Sequence, residues 1–148
     1  MDSYQKFQQA SRRYSDASIL MHQVIAHRAG LSATDHKYLG LLIQHKKMTA
    51  GEMAEATGLT TGAVTGLIDR LEKKQLVTRT SDPADRRKVW IVPNSEKARG
   101  LLGPLFAELQ EKTQQLINTF SPEEVDTIKR YFESAAAVMN EVTRHLKR

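Results

Sequence analysis

A mainly α-helical fold with a small β-ribbon is predicted by three features of this 148-residue sequence. The first is a pair of helix starts around a glycine turn. Thr49 has Glu52 three residues on, Gly58 marks the turn, and Thr60 precedes a new apolar stripe. The second is two β-branched runs, Leu76–Thr80 and Val89–Val92, separated by Asp82-Pro83 and a charged tip. The third is long helices at both ends with more apolar face than a small three-helix core covers. Together they predict a winged helix-turn-helix over residues 31–94, a dimerisation helix at 1–30 and C-terminal dimerisation helices at 95–148.

In chain order, Ser3 to Ala29 reads as the first helix. Phe7, Tyr14 and Met21 recur every seven residues, with Tyr4, Ala10, Ala17 and Val24 alongside. That near-heptad stripe suits packing on another helix, and Gly30 ends it. Ser32 then starts a second helix, with Asp35 in the spacing of a reciprocal cap. Tyr38, Leu39, Leu41, Leu42 and Ile43 make it apolar on most sides, so it is buried on more than one face. His45-Lys46-Lys47 places cations at its negative end.

Thr49 opens a short third helix, with Met53 and Ala54 inward. In the next helix Val64, Leu67, Ile68 and Leu71 sit at i, i+3, i+4 and i+7, which sets its buried side. Thr61, Gly62, Thr65, Gly66, Asp69 and Arg70 are left facing out. After the ribbon, a helix is expected from about Glu96 to Phe120, kinked or divided at Pro104. Ser121-Pro122-Glu123-Glu124 is a strong final start. Val125, Ile128, Phe132, Ala135, Met139, Val142 and Leu146 carry its stripe.

The net charge is +5, and its distribution is uneven. Residues 1–45 carry five Lys/Arg against three Asp/Glu, residues 46–99 eleven against seven, and residues 100–148 six against seven. The basic excess falls on the helix-turn-helix and ribbon, which favours a polyanion partner. Sparse aromatics, 6%, argue against a surface built to stack single-stranded bases. No cysteine is present, which excludes disulfides, thiolate zinc sites and thiol redox sensing. No apolar run has the length of a membrane span, and no signal segment is read at the N-terminus. A cytoplasmic protein without membrane attachment is expected.

A helix-turn-helix lays its second helix in the major groove, with the N-terminal outward residues at base edges. Here those are Thr60, Thr61, Gly62, Thr65 and Gly66, followed by Arg70. Threonine offers a hydroxyl to bases or phosphate and a methyl to thymine. The two glycines suit close approach to DNA or to another helix. Arg86, Arg87 and Lys88 cluster at the ribbon tip, where a guanidinium suits the narrow, negative minor groove. Asp85 is expected to pair with Arg79 or Arg87 and brace the wing.

The run from Thr49 to Arg79, followed by Asp82-Pro83-x-Asp85-Arg86-Arg87-Lys88-Val89, resembles the MarR family of bacterial transcriptional regulators. The likeness spans nearly the whole chain. Its most specific parts are Leu67-Ile68-Asp69-Arg70-Leu71-Glu72 and Asp85-x-Arg87. It implies a homodimer that binds a pseudo-palindromic double-stranded operator, represses nearby genes, and is released by a small aromatic or anionic effector. It implies a recognition helix over Thr60 to Lys74 and a wing arginine at Arg87 with Asp85 as its brace. The sequence departs from the family at Gln75, where glycine is usual, so Gln75 takes a left-handed conformation or the turn differs. It departs again at Val92-Pro93-Asn94, and at Gly66, where a long side chain is common. That last change shifts weight to Thr61, Thr65 and the wing.

The effector pocket that the resemblance implies lies between the dimer helices and the DNA-binding lobe. Tyr14, His22, His36 and Tyr38 are its candidate polar groups. None of the histidines in the first two helices forms an i, i+4 pair, so no metal site is assigned. No cofactor is expected. No hydrolase elbow, phosphate loop, dinucleotide fingerprint or catalytic dyad is present, so no enzyme activity is expected. The rival reading is a dimeric winged-helix module whose basic wing meets an acidic protein and never an operator.

Overall fold

The computed structural model describes residues 2–147. Six helices and one two-stranded sheet follow in the order α1 Ser3–Arg28, α2 Ala33–His45, α3 Ala50–Thr57, α4 Thr61–Lys73, β1 Val77–Ser81, β2 Val89–Pro93, α5 Ser95–Ile117 and α6 Pro122–Leu146. The chain divides into two compact units, one ending at Phe106 and the other beginning at Ala107.

Local chemistry sets most boundaries in the first unit. Gly30, at φ 69°, turns the chain out of α1. Thr49 and Glu52 close a reciprocal cap on α3, with the Thr49 N–H donating to Glu52 Oε2 at 2.7 Å. Gly58 ends α3 at φ 73°, a left-handed position that costs glycine little. Ser32 caps α2 by accepting from the Asp35 N–H at 3.0 Å. The expected return bond is missing, because the Asp35 side chain is engaged elsewhere. Gln75 does adopt the left-handed conformation, at φ 58°, and its Oε1 accepts from Lys97 Nζ at 2.6 Å.

Val64, Leu67, Ile68 and Leu71 of α4 are at most 1% exposed, as their spacing predicts. They meet Leu39 and Leu42 of α2, Met53 of α3, Leu76, Val77 of β1 and Ile91 of β2 in one core. Burying a side chain of this size contributes roughly 1.5–3 kcal/mol. The core therefore fixes α4 and the ribbon on one scaffold. β1 and β2 pair antiparallel, with Val77 opposite Pro93 and Thr80 opposite Trp90. Met48 adds a further rung by bridging Ile91, Ile91 N–H to Met48 C=O at 2.7 Å. β1 lies one residue later than its β-branched run suggests, and β2 starts at Val89 as expected and extends one residue further, to Pro93.

α5 runs unbroken through Pro104, contrary to the expected division, and ends at Ile117 instead of Phe120. The carbonyl that Pro104 leaves without a donor belongs to Gly100, whose missing side chain leaves open space. In the second unit, α6 starts as predicted, with Ser121 accepting from the Glu124 N–H and Pro122 in the first turn. No residue of α6 is buried. Val138, Met139, Val142 and Leu146 of its apolar stripe are 49–83% exposed.

Candidate nucleic-acid interface

The outward face of α4 begins at its cap. Thr60 Oγ1 accepts from the Ala63 N–H at 3.2 Å, which satisfies one free amide of the first turn. Thr61, Gly62 and Thr65 are exposed beyond it. A Cβ at Gly62 would meet nothing within 4 Å, so no packing within the chain demands glycine there. The Thr65 hydroxyl donates to the Thr61 carbonyl at 3.0 Å. What remains is the two acceptor lone pairs and a methyl group, which narrows the contacts Thr65 can make.

Arg70 is placed differently from the expected outward reader. Its Nε donates to Asp35 Oδ2 at 3.0 Å and to Oδ1 at 3.2 Å, and its Nη2 to Oδ1 at 2.7 Å. Asp35 is 3% exposed. The fork therefore neutralises a buried carboxylate and straps α4 to α2. A Cβ at Gly66 would sit 3.4 Å from Arg70 Nη1, so the small residue leaves room for this guanidinium. Arg79 is likewise occupied. It contacts Asp69 Oδ1 at 2.5 Å and Glu72 Oε2, and its backbone N–H donates to Glu72 Oε1 at 3.2 Å. Its role is to tie β1 to α4.

The wing is braced by Asp82, a residue that sequence reasoning treated only as turn chemistry. Asp82 Oδ1 accepts from the N–H groups of Ala84 and Asp85, and Oδ2 from the Trp90 indole at 2.7 Å. These bonds, the indole's first, hold the Asp82 carboxyl below its ordinary range. Asp85 pairs with neither arginine among the described residues. Its Oδ1 accepts the backbone N–H of Arg87 at 3.0 Å, and its carbonyl that of Lys88 at 2.9 Å. The carboxylate shapes the turn and leaves the guanidinium unpaired. Arg86 and Arg87 are exposed and form no ion pair among the described residues. Trp90 and Lys47 carried no sequence signal for this region. Their contact depends on the Met48–Ile91 bridge, which joins segments far apart in the chain.

A cavity of about 640 Å³ lies between α1, α2 and the start of α5. His22, His36, Ile19, Leu102 and Phe106 line it, with Lys37, Ser18 and Gln23 as further polar groups. His22 Nδ1 and His36 Nε2 are 3.2 Å apart, and Phe106 stacks on His36 at 6.0 Å between centroids. Tyr14 and Tyr38 are not lining residues: Tyr14 is 65% exposed and Tyr38 packs against the core. His36 is 91% buried and its Nδ1 has no partner among the described residues. Burial, then the neighbouring His22, lowers its pKa from 6.5. No group of three or more metal-ligating side chains occurs among the described residues. The orphaned Nδ1 also lacks the outer partner that a metal-bound imidazole normally has. No described helix is long and apolar enough to cross a membrane.

Residues 31–89 match the model of the MarR family. The chain is 40% identical over 139 residues to an uncharacterized HTH-type transcriptional regulator, YcgE, of Bacillus subtilis strain 168, covering 94% of this chain and 90% of that one. A MarR family protein of Bacillus stearothermophilus superposes with TM-score 0.71 at 22% identity, over 95% of this chain and 99% of that one. BpsR of Bordetella bronchiseptica, solved to explain regulation of its DNA binding by 6-hydroxynicotinic acid, has TM-score 0.58 at 22% identity, over 92% and 96% of the two chains. An exposed polar face on α4, a wing whose Arg86 and Arg87 have no ion pair among the described residues, and these likenesses have one common explanation: the chain belongs to the MarR family of winged helix-turn-helix transcriptional regulators.

Proposed function

We propose that this regulator is a homodimeric repressor that binds a pseudo-palindromic operator and leaves it when a small ligand occupies the α1–α2–α5 cavity. The observation that carries the DNA contacts is the partition of arginines. Arg70 and Arg79 are bound by carboxylates, whereas Arg86 and Arg87 at the wing tip are exposed with no ion pair among the described residues. Thr61 and Thr65 would meet base edges, with the Gly62 backbone in close approach, and the wing would enter the adjacent minor groove.

The exposed Val138, Met139, Val142 and Leu146 of α6 and Tyr4 of α1 support a second copy as their cover. A two-fold dimer matches a two-fold operator. The cavity supports an effector with an aromatic body and an anionic or hydrogen-bonding edge. Its walls are rings and aliphatic groups, its polar members include Lys37 and two imidazoles, and no carboxylate lines it among the described residues. BpsR offers a precedent in which a small aromatic acid regulates DNA binding. A cytoplasmic location follows from this role.

Selection of bound sequences from a random duplex library tests the reading. Recovery of a two-fold motif supports it, and subsequent release by aromatic acids identifies the effector class. Recovery of no duplex would favour the rival, a protein-interaction module.

A further inference from the structure

Trp90 is the single tryptophan of the chain, and it stands at the base of the wing. Its β2 neighbours Ile91 and Pro93 are buried, so alternation turns Trp90 to the opposite face of the ribbon. Charge surrounds it there. The ammonium groups of Lys47 and Lys88 each lie 4.2 Å from the ring centroid. Lys47 comes from the α2–α3 connection, directly before the Met48–Ile91 bridge, and Lys88 from the end of the wing turn. The sequence suggested Lys47 as a charge at the end of α2. The fold brings it to the ring instead.

Two cations sharing one ring repel each other, and each would gain from an ion pair. Neither has one among the described residues. The acids in range are Asp82, which feels Lys47, and Glu52, which feels Lys88. Both carboxylates are already engaged. Asp82 serves Trp90, Ala84 and Asp85, and Glu52 serves the Thr49 N–H. The indole attracts both ammonium groups through its electron-rich π system, while Asp82 fixes the indole edge. The result is a pair of oriented ammonium groups, within twice their ring distance of each other, with N–H donors to spare. Lys88 is also the last member of the Arg86-Arg87-Lys88 run, so this positive surface continues that of the wing tip.

We propose that Lys47 and Lys88, mounted on Trp90, form a phosphate-binding station that grips the backbone of one duplex strand beside the wing. Successive phosphates of a strand advance about 3.4 Å along the helix axis, close enough for two such cations to serve neighbours. The station adds affinity and register without reading bases. It rests on the DNA-binding reading above and extends that surface, through Lys47, from the wing to the α2–α3 connection.

The test is the salt dependence of binding to a mixed-sequence duplex of about three helical turns. The slope of log affinity against log salt should fall by about 0.9 for Lys47→Ala and again for Lys88→Ala. Lys47→Arg and Lys88→Arg should retain it. Lys6→Ala, which removes the same charge from α1, should leave it unchanged. Trp90 fluorescence should change on titration with unlabelled duplex, with the midpoint seen by anisotropy. Thermal melts of the variants identify any loss of folding, and Trp90→Phe keeps a ring if Trp90→Ala does not fold. A wild-type protein that binds duplex while both alanine variants keep its slope would overturn the station alone. No duplex binding by the wild type would overturn the regulator reading and the station together.

Discussion

Arg70 of α4 grips the carboxylate of Asp35 in α2 through three hydrogen bonds of 2.7–3.2 Å, and the residue after Asp35 is the cavity imidazole His36. One helix thus carries both the anchor of α4 and a wall of the cavity. Arg70→Ala should lower unfolding stability by about 2–3 kcal/mol, below the full cost of a broken buried pair because the guanidinium is half exposed. Denaturant melts of Arg70→Ala, Asp35→Ala and the double variant should show losses that do not add. Additive losses would mean that the two groups act separately.

The wing arginines should behave in the opposite way. Arg87→Ala should weaken duplex binding and lower the salt slope by about one, with stability changed by no more than ~0.5 kcal/mol. A dissociation constant equal to wild type at physiological salt would remove Arg87 from the interface.

Thr65 donates its proton within α4, so its value to a base lies in its lone pairs and methyl group. Thr65→Ala should relax sequence preference, each lost base contact being worth ~1–3 kcal/mol. Uniform weakening across a sequence panel would instead make it a phosphate contact.

His36 gives a pH signature. Its folded pKa lies below the unfolded 6.5 because burial and then His22 disfavour the imidazolium. The unfolded chain therefore binds the proton more readily. Stability is fully present above 6.5 and declines as pH falls from there through the depressed value, then levels off. His36→Gln should flatten that decline in denaturant midpoints measured across the window. An unchanged profile would place the acid sensitivity elsewhere.

Met139 and Phe132 are 67% and 50% exposed on α6. Met139→Glu with Phe132→Glu should convert a dimer to a 16.7 kDa species by light scattering. A wild-type monomer at micromolar concentration would contradict the dimer proposal directly.

Sequence alone determined the local elements: the caps at Ser32, Thr49, Thr60 and Ser121, the turn at Gly58 and the buried stripe Val64, Leu67, Ile68, Leu71. Each depends on neighbours within four residues or on a helical period, so spacing suffices. The tertiary structure decided which charges are free. Arg70 and Arg79 look like available cations in the sequence, yet Asp35 lies 35 residues from Arg70, and the Asp69–Glu72 pair reaches Arg79 across a helix–strand packing. The same holds for His22 with His36, and for Lys47 with Trp90. Partner choice between distant side chains follows from how the helices and ribbon pack, and no periodicity in the chain encodes it.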